Sequence, residues 1–126
     1  MCAKMKQALI KEKVFGVDCR VYVGSCKKYQ AAFWKRYRLK KDDESGNAGG
    51  CTMVELKSGA VEGVIWMPKF DRRNVRNLNT LSHECNHLAL NIATRAGFLP
   101  KSFDTAEPIC YLQGYFFEEI LRELRK

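Results

Sequence analysis

The stretch "TLSHECNHLAL" (residues 80–90) holds both histidines of this 126-residue chain, four positions apart, with a glutamate directly after the first. Around it Leu78, Leu81, Cys85, Leu88 and Ile92 recur at spacings of three and four, the period of a helix with one buried face. The spacing predicts a helix starting at Asn74 or Asn77 and running to Ala96, with Gly97 as its left-handed stop. At about 100° per residue, His83, His87, Leu90 and Thr94 line one side of that helix. Leu81, Cys85, Leu88 and Ile92 lie almost opposite, so the apolar stripe faces the core and the histidines face a cleft.

Residues i and i+4 sit one turn apart on one face, the separation at which two imidazole nitrogens bind a single zinc ion. His83-Glu84-Cys85-Asn86-His87 is the HExxH pattern. Cys85 belongs to the opposite stripe, which excludes it from the same metal. A catalytic zinc needs a third protein ligand, and the chain has no further histidine. A carboxylate or thiolate from another element must supply it. Glu107, twenty residues after His87 in "FDTAEPICYLQGYFFEEIL", is the best-placed carboxylate, and Asp104 is the runner-up. The stretch Asp104-Thr105-Ala106-Glu107 also fits a variant capping box, in which Glu107 serves the helix start instead.

Outward from this centre, a final helix is predicted over residues 105–124. Glu107, Tyr111, Gly114 and Glu118 share one of its faces, and Ile109, Leu112, Phe116 and Ile120 the other. Upstream, "CTMVEL" and "VEGVIWM" flank "KSGA", the pattern of a β-hairpin over residues 51–67 that Pro68 ends. "VDCRVYVG" (residues 17–24) alternates apolar and polar positions like a half-buried strand. "SCKKYQAAFWKRY" (residues 25–37) follows with Ser25 as N-cap and Tyr29, Ala32, Phe33 and Tyr37 at helical spacing. Residues 38–50 have no apolar period and are read as an exposed, mobile loop. The expected order is β-α-β-β-α-α in one α+β domain over residues 1–126, with a small, mainly antiparallel sheet.

The totals fit a soluble domain. No run of apolar residues is long enough for a membrane span, and the start lacks the apolar core of a secretory signal, so a cytoplasmic protein is expected. Six cysteines without a disulfide framework or a CxxC pair read as reduced thiols. The net charge of +8 is concentrated early: residues 1–41 carry twelve Lys/Arg against two acids, and the remainder ten against twelve. Such asymmetry favours an acidic partner, nucleic acid or an acidic protein surface, beside the plainer reading of a solvated basic face.

An HExxH helix followed by a helix bearing a glutamate resembles the gluzincin class of zinc metallopeptidases, reduced to a minimal zincin-like domain. The stretch from "TLSHECNH" to "EPICYLQGYFFEEI" is similar to small phage-encoded metallopeptidase-like proteins, which would place the chain in the host cytoplasm. The chain differs from larger gluzincins in lacking a third histidine and a second domain. The resemblance implies zinc on His83, His87 and Glu107, and a peptide or protein substrate. Water activated by the metal would surrender its proton to Glu84 as general base, which returns it to the leaving amine. Tyr111 or Tyr115, one or two turns beyond Glu107, would stabilise the oxyanion. In such enzymes the substrate lies along an edge strand beside the active-site helix. By carry-over that strand falls within residues 61–67, with Val64 and Trp66 contacting substrate. The competing reading is a zinc-stabilised binding or regulatory protein whose basic first third ("KKYQAAFWKRYRLKK", with "DRRNVR" beside the histidine helix) contacts nucleic acid or an acidic protein.

Overall fold

The computed structural model describes residues 5–97 and 103–125, with side chains of residues 103–105 left out. The chain forms β1 (Lys6–Ile10), β2 (Asp18–Val23), α1 (Cys26–Tyr37), β3 (Gly50–Glu55), β4 (Val61–Met67), α2 (Val75–Arg95) and α3 (Phe103–Leu124). It is an α+β fold with a four-stranded mixed sheet in the order β1-β2-β4-β3. The outer pairs are antiparallel and the central pair, β2 with β4, is parallel.

Alternation along the strands sorts side chains onto two faces. Cys19, Val21, Ile65 and Met67 join Ile10 and the buried stripes of α2 and α3 in the larger core. Tyr22, Val54, Val64 and Trp66 face the other way, against Cys26, Tyr29 and Phe33 of α1. The sheet is thus covered on both sides, and β4 is buried on both. That explains why "VEGVIWM" reads as a near-continuous apolar run and not as an alternating one.

Local signals formed the helices where the sequence places them. Ser25 Oγ accepts from Lys28 N at the start of α1, and Asn74 Oδ1 accepts from Arg76 N and Asn77 N at the start of α2. Gly97 takes φ +88° just past α2, a left-handed conformation that costs glycine little. The β3–β4 hairpin closes through Leu56 N to Ala60 O. Residues 38–49 contain no helix or strand, yet they are held in place. Gln30 Nε2 donates to Lys41 O, Glu44 N to Cys26 Sγ, and Asn47 N to Glu44 O.

One departure from the expected order is the added strand β1, whose hydrophobic pattern is weak because only Ile10 is buried. Another concerns the expected substrate strand. Residues 61–67 are not an edge: β4 pairs with β2 on one side and β3 on the other. Val64 and Trp66 lie in the α1-side core, Trp66 stacked on Tyr29 with its Nε1 donating to Gly24 O. Neither side chain faces a cleft. The edge beside α2 is β3.

Across the sheet from α2, the buried Glu62 gathers Arg20, Arg36 and Tyr37, with Arg36 bidentate at 2.7 and 3.1 Å. Burial alone would push its carboxyl up, but the hydrogen bonds from Arg36 and Tyr37 and the charges of Arg36 and Arg20 outweigh it and hold it below the usual value. A depressed folded-state pKa contributes stability that is present above the unfolded value, about 4.3, and is lost as pH falls through the folded one. Glu62→Gln is therefore expected to cost about 1–3 kcal/mol at pH 7, moderated by the part exposure of both arginines. The difference from the parent protein should narrow below pH ~4. Urea unfolding at pH 7 and at pH 3.5 checks both parts, and an unchanged gap at the two values counts against them. Among the described residues, no helix is long and apolar enough to cross a membrane.

Candidate metal centre

Helix α2 lays Leu81, Cys85, Leu88, Ala89 and Ile92 into the core and leaves His83 and His87 exposed. The two Nε2 atoms are 3.0 Å apart, with the ring planes at 79°. Two zinc–nitrogen bonds of about 2.0–2.1 Å at a tetrahedral angle span about 3.3 Å, so this pair fits one metal ion with only a small adjustment. Convergence of both nitrogens on one point follows from the i, i+4 spacing and the absence of any side chain between them on that face.

Glu84 sits 100° round the helix from His83, on the flank that turns toward β3, and is only 4% exposed. One oxygen of Glu84 and one nitrogen of each histidine lie within 4.8 Å of one another. Burial pushes the Glu84 carboxyl up, the charges of His83 and His87 oppose the shift, and Glu44 adds to it. The carboxylate is thus more basic than a solvated one while standing beside the imidazoles.

A polar cleft of about 290 Å³ opens at this corner, lined by Asn47, Ala48, Gly49, Asn79, Thr80, His83 and Glu84. Its far wall is the segment that leads into the edge strand β3. Gly49 allows that segment to approach so closely: a Cβ there would meet Trp66 O at 2.9 Å and Thr80 Cγ2 at 3.0 Å. The wall was hidden in the sequence because its residues lack periodicity. The glycine pair Gly49-Gly50 before an apolar run was the one local sign of a close backbone approach.

Helix α3 packs on α2 through polar contacts that spacing alone did not disclose. Asn86 Nδ2 donates to Gln113 Oε1 at 3.0 Å, and Gln113 Nε2 reaches Ser82 O at 3.4 Å. Ser82 and Asn86 form an i, i+4 polar stripe on the same helix as the histidines, which was the available signal.

The other expected site residues are distributed as follows. Glu107 is exposed on α3 and does not join the group formed by His83, Glu84 and His87. The side chain of Asp104 lies outside the described residues. The Tyr111 hydroxyl donates to Glu12 Oε1, and that of Tyr115 to Lys11 O. Both phenols therefore clasp the β1–β2 connection, where Glu12, itself buried, accepts from Val14 N and Phe15 N. Neither is directed at the histidines. Burial pushes the thiols of Cys51 and Cys85 up to about 12, and neither joins the group formed by His83, Glu84 and His87. No protein-family model, no curated protein and no solved structure matches this chain.

Proposed function

We propose that the chain is a zinc-dependent peptidase built on a minimal zincin-like domain. The observation that carries the reading is the cluster on α2: two converging imidazoles facing outward, and on the flank beside them a buried carboxylate with raised proton affinity at the mouth of a polar cleft. A site that only stabilised the fold would have no use for Glu84, whose burial is costly.

His83 and His87 are assigned as ligands through Nε2. Glu107 is assigned as the third. It stands on the helix that Gln113 ties to α2, and its side chain is exposed. Zinc held by these residues would supply the Lewis acidity that activates a water and polarises a peptide carbonyl. Glu84 accepts the proton of the attacking water and delivers it to the leaving amine, roles suited to a carboxylate whose pKa is lifted toward the working pH. Among the described residues the outer edge of β3 has no strand partner, and an extended peptide can add there as a further strand, running past the cleft wall at residues 47–49. In this reading β3 takes the part that the resemblance implied for residues 61–67.

Elemental analysis is the test. The purified protein is expected to hold about one zinc per chain, and His83→Ala and His87→Ala each to lose at least nine-tenths of it at equal total zinc. Glu107→Ala should weaken zinc binding by 10-fold or more. A parent protein that takes up no added zinc would sink the reading. Full retention by the Glu107 variant would move the third ligand elsewhere.

A further inference from the structure

We propose that the outer face of α1, on the side of the sheet opposite the histidines, is a binding surface for single-stranded nucleic acid. Between Asp18 and Asp42 the chain carries eight cations and no acid. The fold divides these cations by task. Arg20 and Arg36 are committed to Glu62, and Lys41 to Glu44. Lys27, Lys35 and Arg38 are exposed and form no ion pair among the described residues.

Helical geometry brings those three together. Positions 27, 31, 34, 35 and 38 fall within about 100° of one another around α1, while Tyr29 and Phe33 anchor the opposite face in the core. At one edge of this arc, beside Lys35 and one turn before Arg38, stands Trp34, 51% exposed, although the same helix buries Tyr29 and Phe33. Its i−3 neighbour on the surface is Ala31, too short to cover the indole. Arg38, four residues on, takes a left-handed φ of 57° that ends the helix beside it. Two of the acids that follow the helix are turned to their own loop: Asp43 accepts from Ser45 N and Cys26 Sγ, and Glu44 pairs with Lys41.

An exposed, flat aromatic ringed by uncompensated cations fits a polyanion whose units carry both a phosphate and a stackable base. Lys27 and Lys35 are about 12 Å apart along the axis, roughly two nucleotide steps of an extended strand, with Trp34 next to Lys35 and two turns from Lys27. An acidic peptide would satisfy the lysines and leave the indole without a role, so the tryptophan decides for nucleic acid. This surface shares no residue with the metal cluster, and its test is independent of zinc.

The test uses the full chain and a fluorescein-labelled 20-nucleotide oligo-dT, with anisotropy and tryptophan emission read between 50 and 300 mM salt. Salt-dependent binding with quenching is expected. Trp34→Ala should weaken it about 10-fold or more and abolish the quenching, because Trp66 is buried. Lys27→Gln with Lys35→Gln should reduce the slope of log K against log salt by about 1.4, two phosphate contacts on a single strand. All these positions are exposed, so unchanged circular dichroism is expected for each variant. Absence of binding at 50 mM salt, affinity unaffected by Trp34→Ala, or tighter binding of polyglutamate than of oligo-dT overturns the proposal. The last of these outcomes would assign the face to an acidic protein segment.

Discussion

Glu84→Gln is expected to reduce kcat on a susceptible peptide by about 10²–10⁴-fold while leaving zinc content at the parental level. Glutamine keeps the shape and hydrogen-bonding reach of the side chain but cannot accept the proton of the attacking water. The same substitution should raise thermal stability of the metal-free protein at pH 7. Burial lifts the Glu84 pKa above its unfolded value, so relative to the unfolded chain its ionised form is disfavoured in the fold. The stability linked to its proton is present below about pH 4.3 and is lost as pH rises through the folded value. A neutral isostere removes that loss, and the stability gap between variant and parent should close as the pH is lowered. Peptide-library turnover, zinc analysis and melting curves at pH 4 and 7 check the three parts. Turnover retained by the variant would remove Glu84 from the chemistry. Turnover lost together with zinc would make it a ligand.

Leu88→Ala is expected to destabilise the protein by about 2–5 kcal/mol. Leu88 is fully buried next to His87 and fills the space that Gly63 leaves on β4. A Cβ at position 63 would stand 2.3 Å from Leu88 Cδ1. Gly63→Ala alone should therefore cost about 1–3 kcal/mol by overpacking. The two changes share one volume, so the double variant should be more stable than the sum of the singles predicts, by about 1 kcal/mol or more. Urea denaturation of the four proteins completes the cycle. Additivity would mean that Leu88 escapes the clash by a rotamer change. The contact brings α2 close against β4 on the helix that carries the site, so Gly63→Ala is expected to weaken zinc binding less than it weakens peptide turnover.

Particular residues show where sequence reasoning succeeded. His83 and His87 were placed on the exposed face of a helix, and Leu81, Cys85, Leu88 and Ile92 on the buried one, from spacing alone; the structure has them so. The cap Ser25, the stop at Gly97 and the β3–β4 hairpin were likewise legible, while spacing did not decide between Asn74 and Asn77 as the start of α2. Each of these depends on neighbours within a few residues, where backbone geometry fixes which side chains meet. The mobile loop expected over residues 38–50 is a segment without helix or strand up to Gly50, held by bonds to α1 that periodicity does not register.

The burial of Glu84 was not legible. It depends on β3 and residues 47–49 coming alongside α2, contacts between segments more than thirty positions apart. Tyr111 and Tyr115 shared the expected face with Glu107, yet the structure turns their hydroxyls to Glu12 and Lys11, about one hundred positions earlier in the chain. β1 has too little buried surface to reveal itself, and it takes its place by pairing with β2.

The sequence by itself determined the helices, their buried stripes and the imidazole pair, because a helix is specified by contacts one turn apart. Tertiary structure decided which strand is the edge, which carboxylate is buried and which hydroxyls are engaged. Strand order is chosen by pairing between distant segments, and a side chain's burial is set by whatever packs over it, so neither is written into the local pattern of the chain.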